Sequence, residues 1–183
     1  MNPAMPMTLP LGIRTLTIAR SPSGADSLYV VYSEQADFRV DVNFRSEDGG
    51  IWLIGFTSPV GIVRASVISQ SFKYSFTTED GTPWGRTREA GFSIAGKFAV
   101  EDEAGKPVGF VIHGLKSVQF QSSKGKLIGK ARRKPEKPLP ILLLPNQAYR
   151  LDRYSIEITD RQPFDLRLLY CFICNLYGSE KGW

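Results

Sequence analysis

Four groups of residues in this chain have types and spacing that could do chemistry. Cys171-Phe172-Ile173-Cys174 is formally a C-x-x-C pair and contains the chain's only cysteines. A redox pair sits at a helix N-terminus, where the dipole lowers the thiol pKa. This one lies inside an apolar run, the setting of small core residues. His113, the only histidine, follows Phe110-Val111-Ile112. A nucleophile–histidine–acid arrangement would use it, but no G-x-S-x-G elbow accompanies it. Glu101, Asp102 and Glu103 could form a general-base or metal cluster, yet they abut a turn and read as solvated turn residues. Two Cys and one His fall short of a zinc site. No catalytic residue, metal ligand or cofactor is assigned on these patterns.

The fourth group is the basic run, the best candidate for binding. Lys124, Lys126, Lys130 and Arg132 are interleaved with Gly125, Leu127, Gly129 and Ala131, which on a strand puts charge on one face. Arg133, Lys134 and Lys137 extend the field into a proline-rich stretch. The whole chain carries +5, but residues 116–137 hold eight basic residues and one acid, +7, leaving −2 for the remainder. A local patch implies an anionic partner more strongly than a high overall charge does. Anionic lipid headgroups or an acidic protein fit. Nucleic acid is less well served, because only Phe120 lies close enough in sequence to stack on bases. The bland alternative is an edge strand guarded by lysines. A rival of another class is a hydrolase-like enzyme, with a pocket at a barrel mouth, using His113 and the nearby acids.

These residues need elements to position them, and one repeated pattern supplies most of them. Gly81-Thr82-Pro83-Trp84-Gly85, Gly105-Lys106-Pro107-Val108-Gly109 and Gly125-Lys126-Leu127-Ile128-Gly129 each read Gly-x-x-apolar-Gly. A looser copy is Asp48-Gly49-Gly50-Ile51-Trp52. The first Gly suits a hairpin turn that needs positive φ. None ends in G-K-[ST], so these are not phosphate loops. Alternating or β-branched stretches predict strands over 13–18, 28–32, 38–44, 51–56, 61–68, 72–77, 92–101, 109–113, 118–121, 126–132 and 154–158. Residues 133–140 hold three prolines and read as a solvated loop.

From Gln162 the pattern becomes helical. Pro163 suits a first helical position, Asp165 the first turn, and Gly178 the residue after the end, predicting a helix over about 163–177. Between Leu166 and Tyr177 the strongly polar residues are Arg167 and Asn175 alone. A helix apolar nearly all round needs cover on most sides. Burying seven large side chains there stabilises by roughly 10–20 kcal/mol gross. At 183 residues the chain reads as one domain over 13–178, preceded by a flexible lead-in over 1–12. The fold expected is mainly β: an antiparallel, hairpin-built barrel of about 10–12 strands around one buried C-terminal helix. The cysteine usage favours a reducing, cytosolic setting, and no run is long enough to cross a membrane, so any membrane contact is peripheral.

Phe98-Ala99-Val100-Glu101-Asp102-Glu103-Ala104-Gly105-Lys106-Pro107-Val108-Gly109, and Tyr154-Ser155-Ile156-Glu157-Ile158 followed by residues 165–177, resemble the tubby C-terminal-like superfamily. That group includes the phospholipid scramblases and the LURP-one-related proteins. The resemblance covers residues 72–178. It implies a barrel of about twelve strands around a helix and no enzyme active site. Tubby-like members bind phosphoinositides through basic surface residues, and scramblase-type members associate with membranes. The palmitoylated cysteine cluster and calcium segment of scramblases have no counterpart in this sequence.

Overall fold

The structure is a computed structural model that describes residues 7–20, 27–47, 49, 51–68, 72–91, 96–114, 117–134 and 151–181. Twelve strands form one closed barrel: β1 (Thr15–Arg20), β2 (Ser27–Ser33), β3 (Phe38–Glu47), β4 (Ile51–Ser58), β5 (Gly61–Ile68), β6 (Tyr74–Thr78), β7 (Pro83–Glu89), β8 (Lys97–Asp102), β9 (Pro107–His113), β10 (Ser117–Ser122), β11 (Leu127–Arg133) and β12 (Leu151–Ile158). Each pairs antiparallel with its sequence neighbours, and β1 closes the cylinder against β12 with Thr15 opposite Glu157. Closure leaves no free edge, so lysines on β11 are not edge protection.

The three glycine repeats turn out to be one device used three times. Gly81, Gly105 and Gly125 have φ of 84°, 78° and 78°, a region L side chains avoid. Each donates its N–H back three residues, to the carbonyls of Thr78, Asp102 and Ser122. The pairing register then shifts at the apolar position (Trp84, Val108, Ile128), which is the extra residue of a β-bulge. The second glycine has a job the turn does not explain. A Cβ on Gly85 would lie 2.5 Å from the Glu101 carbonyl, and one on Gly109 would lie 2.3 Å from that of Gln121. These glycines let neighbouring backbones and the central helix close in.

That helix, α1 (Leu166–Lys181), fills the cylinder. Every residue from Leu166 to Leu176 is buried, about three full turns, so no face meets solvent. Tyr170 stacks on Phe56 of β4 with centroids 4.1 Å apart and leans on Trp84 of β7. Phe172, about 200° further round at 100° per residue, meets Phe120 of β10 and Tyr154 of β12. Strands from opposite sides thus converge on one rod. The expectation of a barrel wrapped around a C-terminal helix is met.

Several boundaries differ. The strand β7 has no counterpart among the expected strands because Trp84 is its one large buried apolar residue, followed by buried Gly85 and Thr87 and exposed charged residues. β8 begins at Lys97; the first four residues of the expected strand over 92–101 lie outside the described residues. Pro163 and Asp165 precede the helix: Asp165 is its N-cap, its carboxylate accepting the Arg167 N–H at 2.9 Å. Gly178 does not end the helix, which continues to Lys181; a single glycine costs about 1 kcal/mol in a helix and is no stop by itself. In the expected lead-in over 1–12, Met7 and Leu9 are anchored: Leu9 donates to Phe164 O at 2.8 Å, Leu166 donates to Met7 O, and Leu9 is buried.

Candidate functional site

The barrel has two unlike ends, and the sequence-predicted residues distribute between them. At one, the turn end, lie the three glycine turns, the 59–60 turn and the start of α1. Met7, Leu9, Ile13 and Phe164 close it. Arg167, 8% exposed, is held there by the Asp165 carboxylate at 2.8 Å and the Trp84 carbonyl at 2.7 Å, with its guanidinium over the Trp84 ring. A buried cation is tolerable because each partner is present. A groove at this end, beside Pro10, Gly12 and Arg161, has a volume of about 10 Å³, room for one water.

The other end, the histidine end, receives the C-terminal half of α1. His113, at the end of β9, packs edge-on to Phe98 with centroids 5.7 Å apart and beside Phe172. Asn175 donates its amide to His113 Nε2 at 3.1 Å and accepts the Tyr74 hydroxyl at 2.8 Å. Because Asn175 donates, Nε2 is the acceptor and the neutral ring carries its proton on Nδ1. Burial lowers the His113 pKa from its ordinary 6.5 to about 4. Burial likewise raises the Tyr74 pKa and both cysteine pKa values, so Cys171 and Cys174 are unreactive thiols. This is a satisfied polar bridge, a Tyr–Asn–His relay without a nucleophile.

The acids that would have to serve His113 are elsewhere. Glu101 sits on the outer wall, 5% exposed, between Arg86 at 2.8 Å and Arg88 at 3.0 Å, whose hydrogen bonds hold its pKa down. Asp102 accepts backbone N–H groups of Ala104 and Lys106 within its own turn, and Glu103 lies 3.7 Å from Arg167. Asp102 and Glu103 are at the turn end, about 20 Å along β9 from His113. The catalytic grouping considered from sequence is not assembled. Among the described residues, no three His, Cys, Asp or Glu side chains converge as metal ligands would.

The basic run is also redistributed. Lys124 and Lys126 are in the third glycine turn, not on a strand, and Lys126 pairs with Asp160 at 3.1 Å. Lys130 faces outward in mid-barrel with Glu157 as cross-strand neighbour. Arg132 and Arg133, both exposed, reach the histidine end, where their register partners are Ser117, Ser155 and Tyr154. Lys134 follows them half-buried, and Lys137 lies outside the described residues. The six described residues therefore span the barrel's height, with Lys126 paired at the turn end and Arg132 and Arg133 exposed at the other. Phe120, the candidate stacking residue, is fully buried.

The outer wall is polar (Arg39, Asp41, Arg64, Ser66, Ser75 and Arg86) over an apolar interior, the reverse of a lipid-embedded barrel. No helix of the described residues is long and apolar enough to cross a membrane. Compared with known proteins, the chain matches no family model, no curated protein and no solved structure.

Proposed function

We propose that this chain is a non-enzymatic binding or scaffold protein of tubby-like type, engaging anionic phospholipid headgroups through the basic end of β11. The observation that carries the reading is the exposure of Arg132 and Arg133 with no acid opposite either in the pairing register. Two more features support it. The barrel interior is occupied by α1, leaving the surface as the place where a ligand can sit. A barrel around a C-terminal helix is also the architecture that the tubby-like resemblance implies. Guanidinium groups suit phosphate because their planar donors grip two oxygens at once.

Flotation with phosphatidylcholine vesicles, with and without phosphatidylserine or phosphoinositide, tests this reading. Binding should require the anionic lipid and weaken with salt. The double change Arg132→Glu, Arg133→Glu should abolish it, while thermal stability shifts by less than about 1 kcal/mol, as surface changes do. Failure to bind any anionic vesicle even at low salt removes the reading.

A further inference from the structure

We infer that the barrel docks end-on, its histidine end pressed into an anionic lipid surface, with Ile51, Ile68 and Phe72 entering the headgroup–acyl boundary. The inference rests on the lipid reading above and adds the orientation and an apolar component. Bare apolar side chains occur at both ends, Leu11 at 78% and Val60 at 41% exposure at the turn end, and what marks the histidine end is that its own share the rim with exposed arginines. Ile68 is 66% exposed, Ile51 39% and Phe72 37%. Ile51 and Ile68 are direct cross-strand partners on β4 and β5, so their side chains form one outward patch beside the rim. Phe72 stands just before β6, its ring tilted over Phe98. Trp52 and Phe44, half-buried and stacked 4.9 Å apart, continue the aromatic lining of the same rim.

Charge selects the occupant. Arg20, Arg45, Arg132 and Arg133 are exposed towards this end, as is the acid Glu89. The turn end is of mixed sign: exposed Asp37, Glu79, Asp80 and Glu103 stand among Lys106, Lys124 and Lys126. An anionic bilayer is attracted to the first and indifferent to the second. Arginines around exposed Ile and Phe, with Trp and Tyr at half-depth, match the composition of an interfacial surface. A nucleic acid would match the arginines but leaves the exposed isoleucines unused, and an acidic protein partner predicts no flotation in the measurement below.

The experiment places an environment-sensitive fluorophore on an introduced cysteine, at Ile68→Cys in one protein and Lys126→Cys in another. Cys171 and Cys174 are fully buried and stay unlabelled in the native protein. Each is mixed with phosphatidylcholine–phosphatidylserine vesicles, and flotation is measured alongside emission. The expected result is a blue-shifted, brighter signal at position 68, none at 126, and at least ~5-fold weaker flotation of Ile51→Ser, Ile68→Ser, the loss of two buried aliphatic groups. Flotation with a shift at 126, or with neither position shifting, overturns end-on docking and leaves the lipid reading standing. Absence of flotation removes both. Release from vesicles by an added single-stranded oligonucleotide also overturns it, assigning the rim to nucleic acid.

Discussion

The two ends of this barrel are built from the same strands and differ in what closes them. The turn end is held by backbone, in tight glycine turns, a capped helix start and a hydrogen-bonded N-terminal segment, under the side chains of Met7, Leu9, Ile13 and Phe164. At the histidine end the described side chains form the His113–Asn175–Tyr74 bridge among aromatics, with arginines and exposed isoleucines at the rim. An end held by backbone geometry is hard to alter without unfolding. One lined with side chains can carry specificity, and in this molecule that is where Arg132 and Arg133 stand exposed.

The comparison is broken most sharply at Gly109. Its Cβ would lie 2.3 Å from the Gln121 carbonyl and 3.1 Å from Leu168 Cδ2, so Gly109→Ala should cost about 3 kcal/mol or more in denaturant unfolding. Gly125→Ala, in the same motif but with nothing within 4 Å of the new Cβ, carries only the strain of φ +78° and should cost about 1 kcal/mol. Equal losses would mean that the second glycine is not a packing device.

Acid should act on the histidine end next. The folded pKa of His113, about 4, lies below the ordinary 6.5, so the fold favours the neutral ring. Its contribution is complete above pH ~6.5 and disappears as pH falls towards 4, a loss of up to about 3 kcal/mol. His113→Gln should flatten that part of the stability profile. The carboxylates of Glu101 and Asp160 are held below their ordinary values by hydrogen bonds from Arg86, Arg88 and Lys126, so their own stabilisation is lost only on further acidification. A profile unchanged by His113→Gln would contradict the assignment.

Buried tyrosines give a finer test. Tyr74→Phe leaves Asn175 Oδ1 without its donor and should cost about 1–2 kcal/mol. Tyr170, towards the turn end, has a buried hydroxyl with no well-formed hydrogen bond among the described residues; burial raises its pKa to about 12, offset in part by the nearby Ser58 hydroxyl. Tyr170→Phe should change stability by less than about 1 kcal/mol. The smallest effect belongs to Lys126→Met. Its ion pair with Asp160 is 69% exposed on the lysine side, and its removal should change stability by less than about 1 kcal/mol.

What the sequence made legible was local. A positive-φ glycine leaves its mark within four residues, and so does a helix with Arg167 and Asn175 as its polar interruptions. What it hid was relational. The second glycine of each repeat is required by a carbonyl on the next strand, and β7 reaches α1 through a single large residue, Trp84 at its bulge. The anchoring of Met7 and Leu9 depends on Phe164 and Leu166, more than 150 residues away. Alternation read the outward turn of Lys130 and Arg132 correctly. It could not show that Lys124 and Lys126 belong to the opposite end, because a strand's height becomes visible only once its turns are placed. Asn175 was the available clue to the His113 bridge: a lone amide deep in an apolar helix must find partners.

The thiols offer the most direct measurement of the central claim, that α1 is enclosed by its own chain's strands. Cys171 and Cys174 are both 0% exposed on that helix. With a water-soluble thiol reagent in native buffer, neither should react until the barrel unfolds, and both should then react together at the rate of global unfolding. Stoichiometric labelling of either cysteine in the folded protein, faster than unfolding, would contradict the enclosed helix and with it the two-ended account.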